Sequence, residues 1–180
     1  MNNKTLKKKK CAICRQPFLP FRTTTKVCGW ECAAKLAEQA RVKIERKQYR
    51  EAKTKLKSRS DWMREAQTAF NSYIRARDTG KPCISCGSRT GKKNAGHYRS
   101  VGSCPELRFE PLQVWLQCEH CNSYLSGNLI NYRIELERRI GTEKLAWIEG
   151  PHEPKKYSID DLKAIKAEYK AKLKALQKGE

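Results

Sequence analysis

Residues 83–122 read CISCGSRTGKKNAGHYRSVGSCPELRFEPLQVWLQCEHCN, and the two ends of this stretch decide the fold. Cys83 and Cys86 are separated by two residues, as are Cys118 and Cys121, and 31 residues lie between the pairs. Zinc needs four soft ligands in a tetrahedron, and two short-spaced pairs each supply half of such a set from a tight turn. In a treble clef the pairs fix a β-hairpin against a helix. His97, in the insertion, and Asn122, directly after the last cysteine, then face each other across a cleft. A ββα-metal nuclease requires that layout. One imidazole with an ordinary pKa of about 6.5 removes a proton from water, while a bound divalent cation polarises the scissile phosphate and offsets charge on the leaving oxygen. Mg²⁺ prefers oxygen ligands and keeps several waters, so an Asn carbonyl and one or two carboxylates suffice. Spacing alone leaves a second reading of His97 open, as a satisfied structural residue or a further potential ligand beside the metal module.

A second quartet precedes the first. Cys11 and Cys14 are followed, after thirteen residues, by Cys28 and Cys32. The last pair runs into Glu31-Cys32-Ala33-Ala34-Lys35-Leu36-Ala37, which predicts a helix carrying the fourth ligand. This is a treble-clef or ribbon-type finger, a class that binds DNA, RNA or protein equally well. Eight of the nine cysteines therefore form two complete zinc sets, and Cys104 is left as a loop thiol with no feature nearby that would lower its pKa. His120 is expected to point outward from its knuckle, and His152 lies in a Pro-flanked loop with nothing to recommend it.

Charge narrows the partner. The 180 residues hold 39 Lys+Arg against 19 Asp+Glu, a formal net charge of +20, with 38% hydrophobic and 32% charged residues. Such an excess points to nucleic acid, because neutralised phosphates release condensed counterions and that release supplies most non-specific affinity. One large apolar core is not expected. No apolar stretch is long enough for a membrane span, and the basic opening lacks the apolar segment of a signal peptide, so a cytoplasmic location is expected. In that reducing setting, cysteines favour metal over disulfides.

The rest of the chain reads as helices. Residues 38–59 lack Gly and Pro and form an exposed basic helix or a partly disordered linker. Residues 60–78 show Trp62, Ala66, Ala69, Phe70, Tyr73 and Ile74 at helical spacing, a buried stripe with Ser60 or Asp61 as its cap. A further helix spans about 129–140 and stops at Gly141. Ser158 and Asp161 form a capping box for a last helix, whose Leu162, Ile165, Tyr169, Leu173 and Leu176 suit packing against the body or a short dimer seam. The expected fold is a small, zinc-stabilised α+β protein with four parts. These are an N-terminal finger (1–37), a basic helical linker with the amphipathic helix (38–78), a ββα-metal core (79–141) and a C-terminal helical region (142–180).

Cys-Ile-Ser-Cys-Gly (83–87), Ala-Gly-His-Tyr-Arg (95–99), Glu-Leu-Arg-Phe-Glu (106–110), Gln-Cys-Glu-His-Cys-Asn (117–122) and Ser-Gly-Asn-Leu (126–129) resemble the NinG, or Rap, family of phage recombination endonucleases. The resemblance covers almost the whole chain, through Ala-Ile-Lys-Ala-Glu-Tyr (164–169). It implies a nuclease that uses Mg²⁺ or Mn²⁺ to cleave branched DNA, such as Holliday junctions and D-loops, with a core similar to HNH and endonuclease VII sites. His97 then matches the general base and Asn122 a metal ligand, while Glu110 and Asp78 match acidic positions of the pattern. Four departures stand out. Gly96 occupies the place where HNH sites usually carry an acidic ligand before the histidine, which makes Glu110 the first and Asp78 the second choice as its replacement. Gln113 stands for a middle Asn, Trp115 for a second His and Leu125 for a common Lys. Two rivals stand beside it: a zinc-dependent DNA- or RNA-binding protein without catalysis, which keeps both quartets and the charge, and a module docking onto a recombination protein, which leaves the charge largely unexplained.

Overall fold

In the computed structural model the first Cys-x2-Cys knuckle of each set turns in the same way. The amide of the residue after the second cysteine donates to the carbonyl of the first, Arg15 to Cys11 at 3.1 Å and Gly87 to Cys83 at 2.9 Å. Both residues take positive φ, 64° and 73°. Gly87 does so freely, whereas Arg15 accepts a backbone that Cβ disfavours. The structure describes residues 7–179; residues 1–6, part of the expected finger, lie outside the described residues. The chain forms two compact units that divide between Lys57 and Ser58.

In the first unit, strands β1 (Lys9–Lys10) and β2 (Pro17–Phe18) pair antiparallel. Helix α1 (Trp30–Lys55) follows, and Cys32 lies in its first turn, as the sequence predicts. The expected basic helix is thus the continuation of the one that leaves the cysteine cluster. No residue of α1 is buried. Its surface carries pairs at i,i+3 and i,i+4 spacing, Arg41 with Glu38 and Glu45 and Lys47 with Glu51, each worth only tenths of a kcal/mol when exposed.

The second unit begins with α2 (Arg59–Arg77). Its cap is Ser58, two or three residues earlier than the expected Ser60 or Asp61. Asp61 instead closes the capping box from the third helical position, because its carboxylate reaches back to the Ser58 amide at 3.0 Å. Trp62, Ala66, Ala69, Phe70 and Ile74 are buried, so the stripe is core. Strands β3 (Lys93–His97) and β4 (Val114–Cys118) form an antiparallel hairpin in which His97 faces Val114 and Gly96 faces Trp115. After a wide turn at His120–Tyr124 come α3 (Leu129–Ile140), α4 (Thr142–Glu149), which the sequence reading had not separated, and α5 (Ile159–Lys178). Ser158 and Asp161 form the expected capping box.

Strand alternation sorts the hairpin between two cores. Ala95 and Val114 join a cluster with Phe70, Phe109, Leu162 and Tyr169, in which α5 packs along α2. The Tyr169 ring meets Phe70 edge-on at 4.8 Å. Leu162, Ile165 and Tyr169 of the α5 stripe are thereby used within the chain, whereas Leu176 is exposed. Tyr98 and Trp115, on alternate positions, join a cluster with Tyr132, Leu136, Leu145 and Ile148 from α3 and α4.

One hydroxyl ties α3 to the hairpin. The fully buried Tyr132 Oη accepts from the Trp115 amide at 3.0 Å and lies 2.8 Å from the Gly96 carbonyl and 3.0 Å from that of Gln113. Tyr132→Phe keeps the ring but strands these groups, so unfolding free energy should fall by about 1–3 kcal/mol, measured by chemical denaturation. An unchanged midpoint would remove this tie from the account.

Candidate active site and metal centres

Two sets of four sulfurs converge, Cys11, Cys14, Cys28 and Cys32 in the first unit and Cys83, Cys86, Cys118 and Cys121 in the second, with the ligand atoms of each set within 4.8 Å of one another. Measured separations include 3.5 Å for Cys14–Cys28, 3.6 Å for Cys28–Cys32 and 3.7 Å for Cys86–Cys118. A tetrahedral ion with metal–sulfur bonds of about 2.3 Å sets its sulfurs about 3.8 Å apart, so both donor sets fit one. Backbone amides prepare one thiolate in each set. Burial alone would raise Cys11, but the amides of Cys14, Ile13 and Cys28 outweigh it and bring the thiol down to about 6. Burial at Cys83 is outweighed in the same way by the amides of Cys118, Cys86 and Ser85, to about 7. The ninth thiol, Cys104, is buried away from both sets; burial, together with its hydrogen bond to Glu106, pushes it up, as befits an inert loop thiol.

His97 ends β3 and is half-buried beside the Phe70 ring, 6.1 Å between centroids. Its Nε2 lies 3.0 Å from the Arg108 carbonyl. A carbonyl only accepts, so Nε2 carries the proton and the neutral ring keeps its lone pair on Nδ1. Burial, the largest influence, holds His97 below its ordinary value of 6.5; the Arg108 carbonyl opposes this, and the Arg108 charge reinforces it. The ring is therefore neutral at pH 7. His97, Tyr98, Arg99, Ser126, Leu129 and Glu149 are among the residues lining a cavity of about 370 Å³. Ser126 and the next two residues, Gly127 and Asn128, all take positive φ before α3.

The other candidates lie elsewhere. Glu110 lines a separate cavity with Glu106, Glu153 and Glu168, and its Oε1 accepts from the Leu112 amide at 2.9 Å. Asn122 sits half-buried in the wide turn after Cys121, outside the lining of the His97 cavity. Asp78 is wholly buried at the end of α2. Its carboxylate accepts from Arg77 at 2.7 and 3.0 Å, from Lys81 at 2.9 Å and from the Leu116 amide at 3.2 Å. Burial would raise this carboxyl, but the two cations outweigh it and hold it below its ordinary value of 3.8. Both oxygens are thus engaged in holding α2 to β4. His120 is exposed, as expected, and His152 only approaches the Ile148 carbonyl at 3.3 Å.

A family model described as Bacteriophage Lambda NinG protein matches residues 3–180. The chain belongs to the NinG family. Protein ninG of Escherichia phage lambda is 42% identical over 184 residues, which cover 91% of this chain and 90% of that relative. The protein of the same name from Escherichia phage 933W is 39% identical, covering 94% of each chain, and that of Salmonella phage P22 is 40% identical, covering 91% and 90%. No solved structure matches.

The geometry gives a physical role to three residues that depart from the expected HNH-type pattern, Gly96, Gln113 and Trp115. A Cβ on Gly96 would meet Gln117 Oε1 at 2.2 Å and Gln117 Cβ at 2.9 Å, so no acidic side chain fits before His97. Gln117 cannot yield, because it is fully buried and its Nε2 donates to Ser85 Oγ and the Gly127 carbonyl. Gln113 braces the insertion from within, accepting from the Arg99 amide at 2.8 Å and donating to the Leu107 carbonyl at 2.8 Å. Trp115 donates to the Leu112 carbonyl, and the charged ends of Arg77, Arg139 and Lys81 lie 4.3, 4.9 and 5.2 Å from its ring centre. The sequence reading missed Arg108, whose carbonyl fixes the His97 tautomer; a main-chain acceptor leaves no signature in residue type.

Two substitutions test this frame. Asp78→Asn should cost about 3–5 kcal/mol, because it leaves the half-buried Arg77 uncompensated. With the folded value depressed, Asp78 contributes stability fully above its unfolded value, 3.8, and loses it as pH falls through the lower folded value, so the wild-type advantage over the variant should vanish in acid. Gly96→Ala should destabilise by about 1–3 kcal/mol through overpacking. Denaturation midpoints across pH check both, and a neutral Gly96→Ala would mean that Gln117 moves aside.

Proposed function

We propose that this NinG family member is a structure-selective endonuclease that cleaves branched DNA recombination intermediates, with one structural zinc ion in each cysteine set and a core of the HNH and endonuclease VII type. The observation that carries the reading is His97: a neutral imidazole, its proton fixed on Nε2 by the Arg108 carbonyl, with the Nδ1 lone pair able to take a proton from water. Asn122 and Glu110 offer the oxygen donors that a hard divalent cation prefers. That cation, Mg²⁺ or Mn²⁺, supplies polarisation of the scissile phosphate and offsets charge on the leaving oxygen. Asp78, with both oxygens held by Arg77, Lys81 and Leu116, acts as a structural brace rather than as a ligand. The net charge of +20 supplies the affinity for DNA.

One observation favours the non-catalytic alternative, a zinc-dependent protein that binds branched DNA without cutting it. Glu110 and Asn122 do not share the cavity of His97, and His97 itself packs on Phe70. Cleavage of a synthetic four-way junction separates the two readings.

With Mg²⁺ or Mn²⁺ the wild-type chain should nick the junction, and without them it should not. His97→Ala should retain zinc and junction binding while cleavage falls about 10²-fold or more, the usual worth of a general base. Because burial lowers the pKa of His97, the neutral base persists below pH 6.5, and the rate should decline only at more acidic pH. Unchanged cleavage in His97→Ala would sink this active site.

Metal analysis of the reduced, folded chain should find two zinc ions, one per cysteine set. Structural zinc supplies roughly 10–16 kcal/mol of apparent binding energy in small fingers, so its removal should unfold the first unit. One zinc or none would refute the assignment.

A further inference from the structure

Three basic surfaces compete for a polyanion. On α1 the cations alternate with glutamates of the same helix, as Arg41 does with Glu38 and Glu45. On α5, Lys163, Lys166 and Lys172 are paired with Asp160, Glu65 and Glu168. The third is a groove of about 570 Å³ in the second unit. One wall is the face of α2 that presents Arg59, Arg64, Gln67 and Asn71, and the other brings Arg108 and Lys155 from two separate loops. No carboxylate lines this groove.

Its four cations are poorly neutralised. Arg64 is paired with Asp61, which is also engaged in the capping box. Arg59 donates instead to the Tyr157 carbonyl at 2.7 Å, Lys155 lies 5.0 Å from the Tyr157 ring centre, and Arg108 reaches only a long 3.5 Å contact with Gln67. Like charges gathered from three segments repel one another, Asp61 at Arg64 and Asp161 near Lys155 offset only part of this, and an anion seated among them relieves the remainder. Guanidinium groups bind phosphate bidentately, and the amides of Gln67 and Asn71 add neutral donors. From Arg59 to Asn71 the helix rises about 18 Å, which matches about five nucleotides of one strand at 3.4 Å each.

One residue, Arg108, connects the groove to the proposed base. Arg108 lines it with its side chain, while its carbonyl holds His97 Nε2 at 3.0 Å. We propose that this groove seats the phosphodiester backbone of one DNA strand and presents it toward His97. The inference rests on the nuclease reading above and adds where the substrate is held. Backbone phosphates carry no base identity, so the site selects for shape rather than sequence.

The test uses the full-length, zinc-loaded chain and a labelled four-way junction, with binding read by fluorescence anisotropy from about 50 to 200 mM salt, without added Mg²⁺ or Mn²⁺. Arg108→Gln/Lys155→Gln should lower the slope of log affinity against log salt by about 1.8, or 0.9 per phosphate lost, and weaken binding at least ~10-fold. Arg64→Gln, on an exposed side chain, should lower the slope by about 0.9 and serves if the double variant loses zinc or fold. Lys170→Gln/Lys174→Gln removes the same charge from exposed positions of α5 and should change the slope little. Equal losses in the groove and α5 variants, or a wild-type slope in both Arg64→Gln and the double variant, overturn the groove. If wild type cuts junctions while the groove variants bind with an unaltered slope, the groove is rejected and the nuclease stands. If the groove variants lose binding but wild type cuts nothing with either cation, the groove stands and the nuclease is rejected.

Discussion

Four sulfurs drawn within 4.8 Å of one another are the constraint on which the first unit depends. Among its described residues only Cys11 and Pro20 are buried, so no apolar core holds the two short strands or starts α1 in its place. Burial of two small side chains contributes a few kcal/mol at most, against an ordering cost of about 1–2 kcal/mol for each residue fixed. A cation shared by four thiolates is the one interaction available with the necessary magnitude. The same logic explains why α1 starts where it does: Cys32 lies in its first turn, so the cluster that closes the module also orients the helix that leaves it. Up to Lys57 the chain carries 17 Lys+Arg against 4 Asp+Glu, +13 of the net +20. Such a self-repelling segment benefits most from a metal cross-link.

The second unit has cores of its own and relies on its cysteine set differently. Its pivot is the Arg77–Asp78 dipeptide. Arg77 donates to the carbonyls of Pro111 and Val114 at 3.0 and 2.8 Å, and Asp78 accepts from the Leu116 amide, so the end of α2 grips the insertion and β4 together. The grip is one residue pair removed from Cys118, while Ile84, inside the first knuckle, donates to the Leu116 carbonyl. Leu116 therefore links the buried carboxylate on one side to the cysteine turn on the other. Exposed ion pairs contribute little, but this one is buried, and its loss leaves charge without solvent.

Local chemistry made most of the frame legible in the sequence. Cysteine spacing identified both sets, the capping box at Ser158 and Asp161 marked α5, and the Trp62-to-Ile74 stripe marked the face of α2 that is buried. The cap of α2 was misplaced because Ser58, Ser60 and Asp61 all favour a helix start, and only the three-residue reach of the Asp61 carboxylate chooses among them. The candidate site was less legible. Motif matching selects residues by type and order, but Asp78 is surrounded by cations that sequence order does not announce as its partners, and Glu110 faces a cavity other than that of His97. The Arg108 carbonyl, the group that settles the state of His97, belongs to the main chain, where any residue type would serve.

Gly96 and Gln117 constrain each other across the hairpin. In a strand, neighbours point to opposite faces, so His97 turns toward Phe70 and α2 while position 96 turns toward Gln117, Tyr132 and α3. The place that an acidic ligand would fill is occupied by the Gln117 amide, which ties the hairpin to Ser85 and Gly127 and leaves its own Oε1 buried without a partner. An orphaned carbonyl costs about 1–3 kcal/mol, and the chain retains it beside a glycine that cannot become larger without displacing it. Gly96 and Gln117 therefore form one packed unit. Replacing the glycine by an acid means rebuilding the amide that holds the second cysteine set against α3.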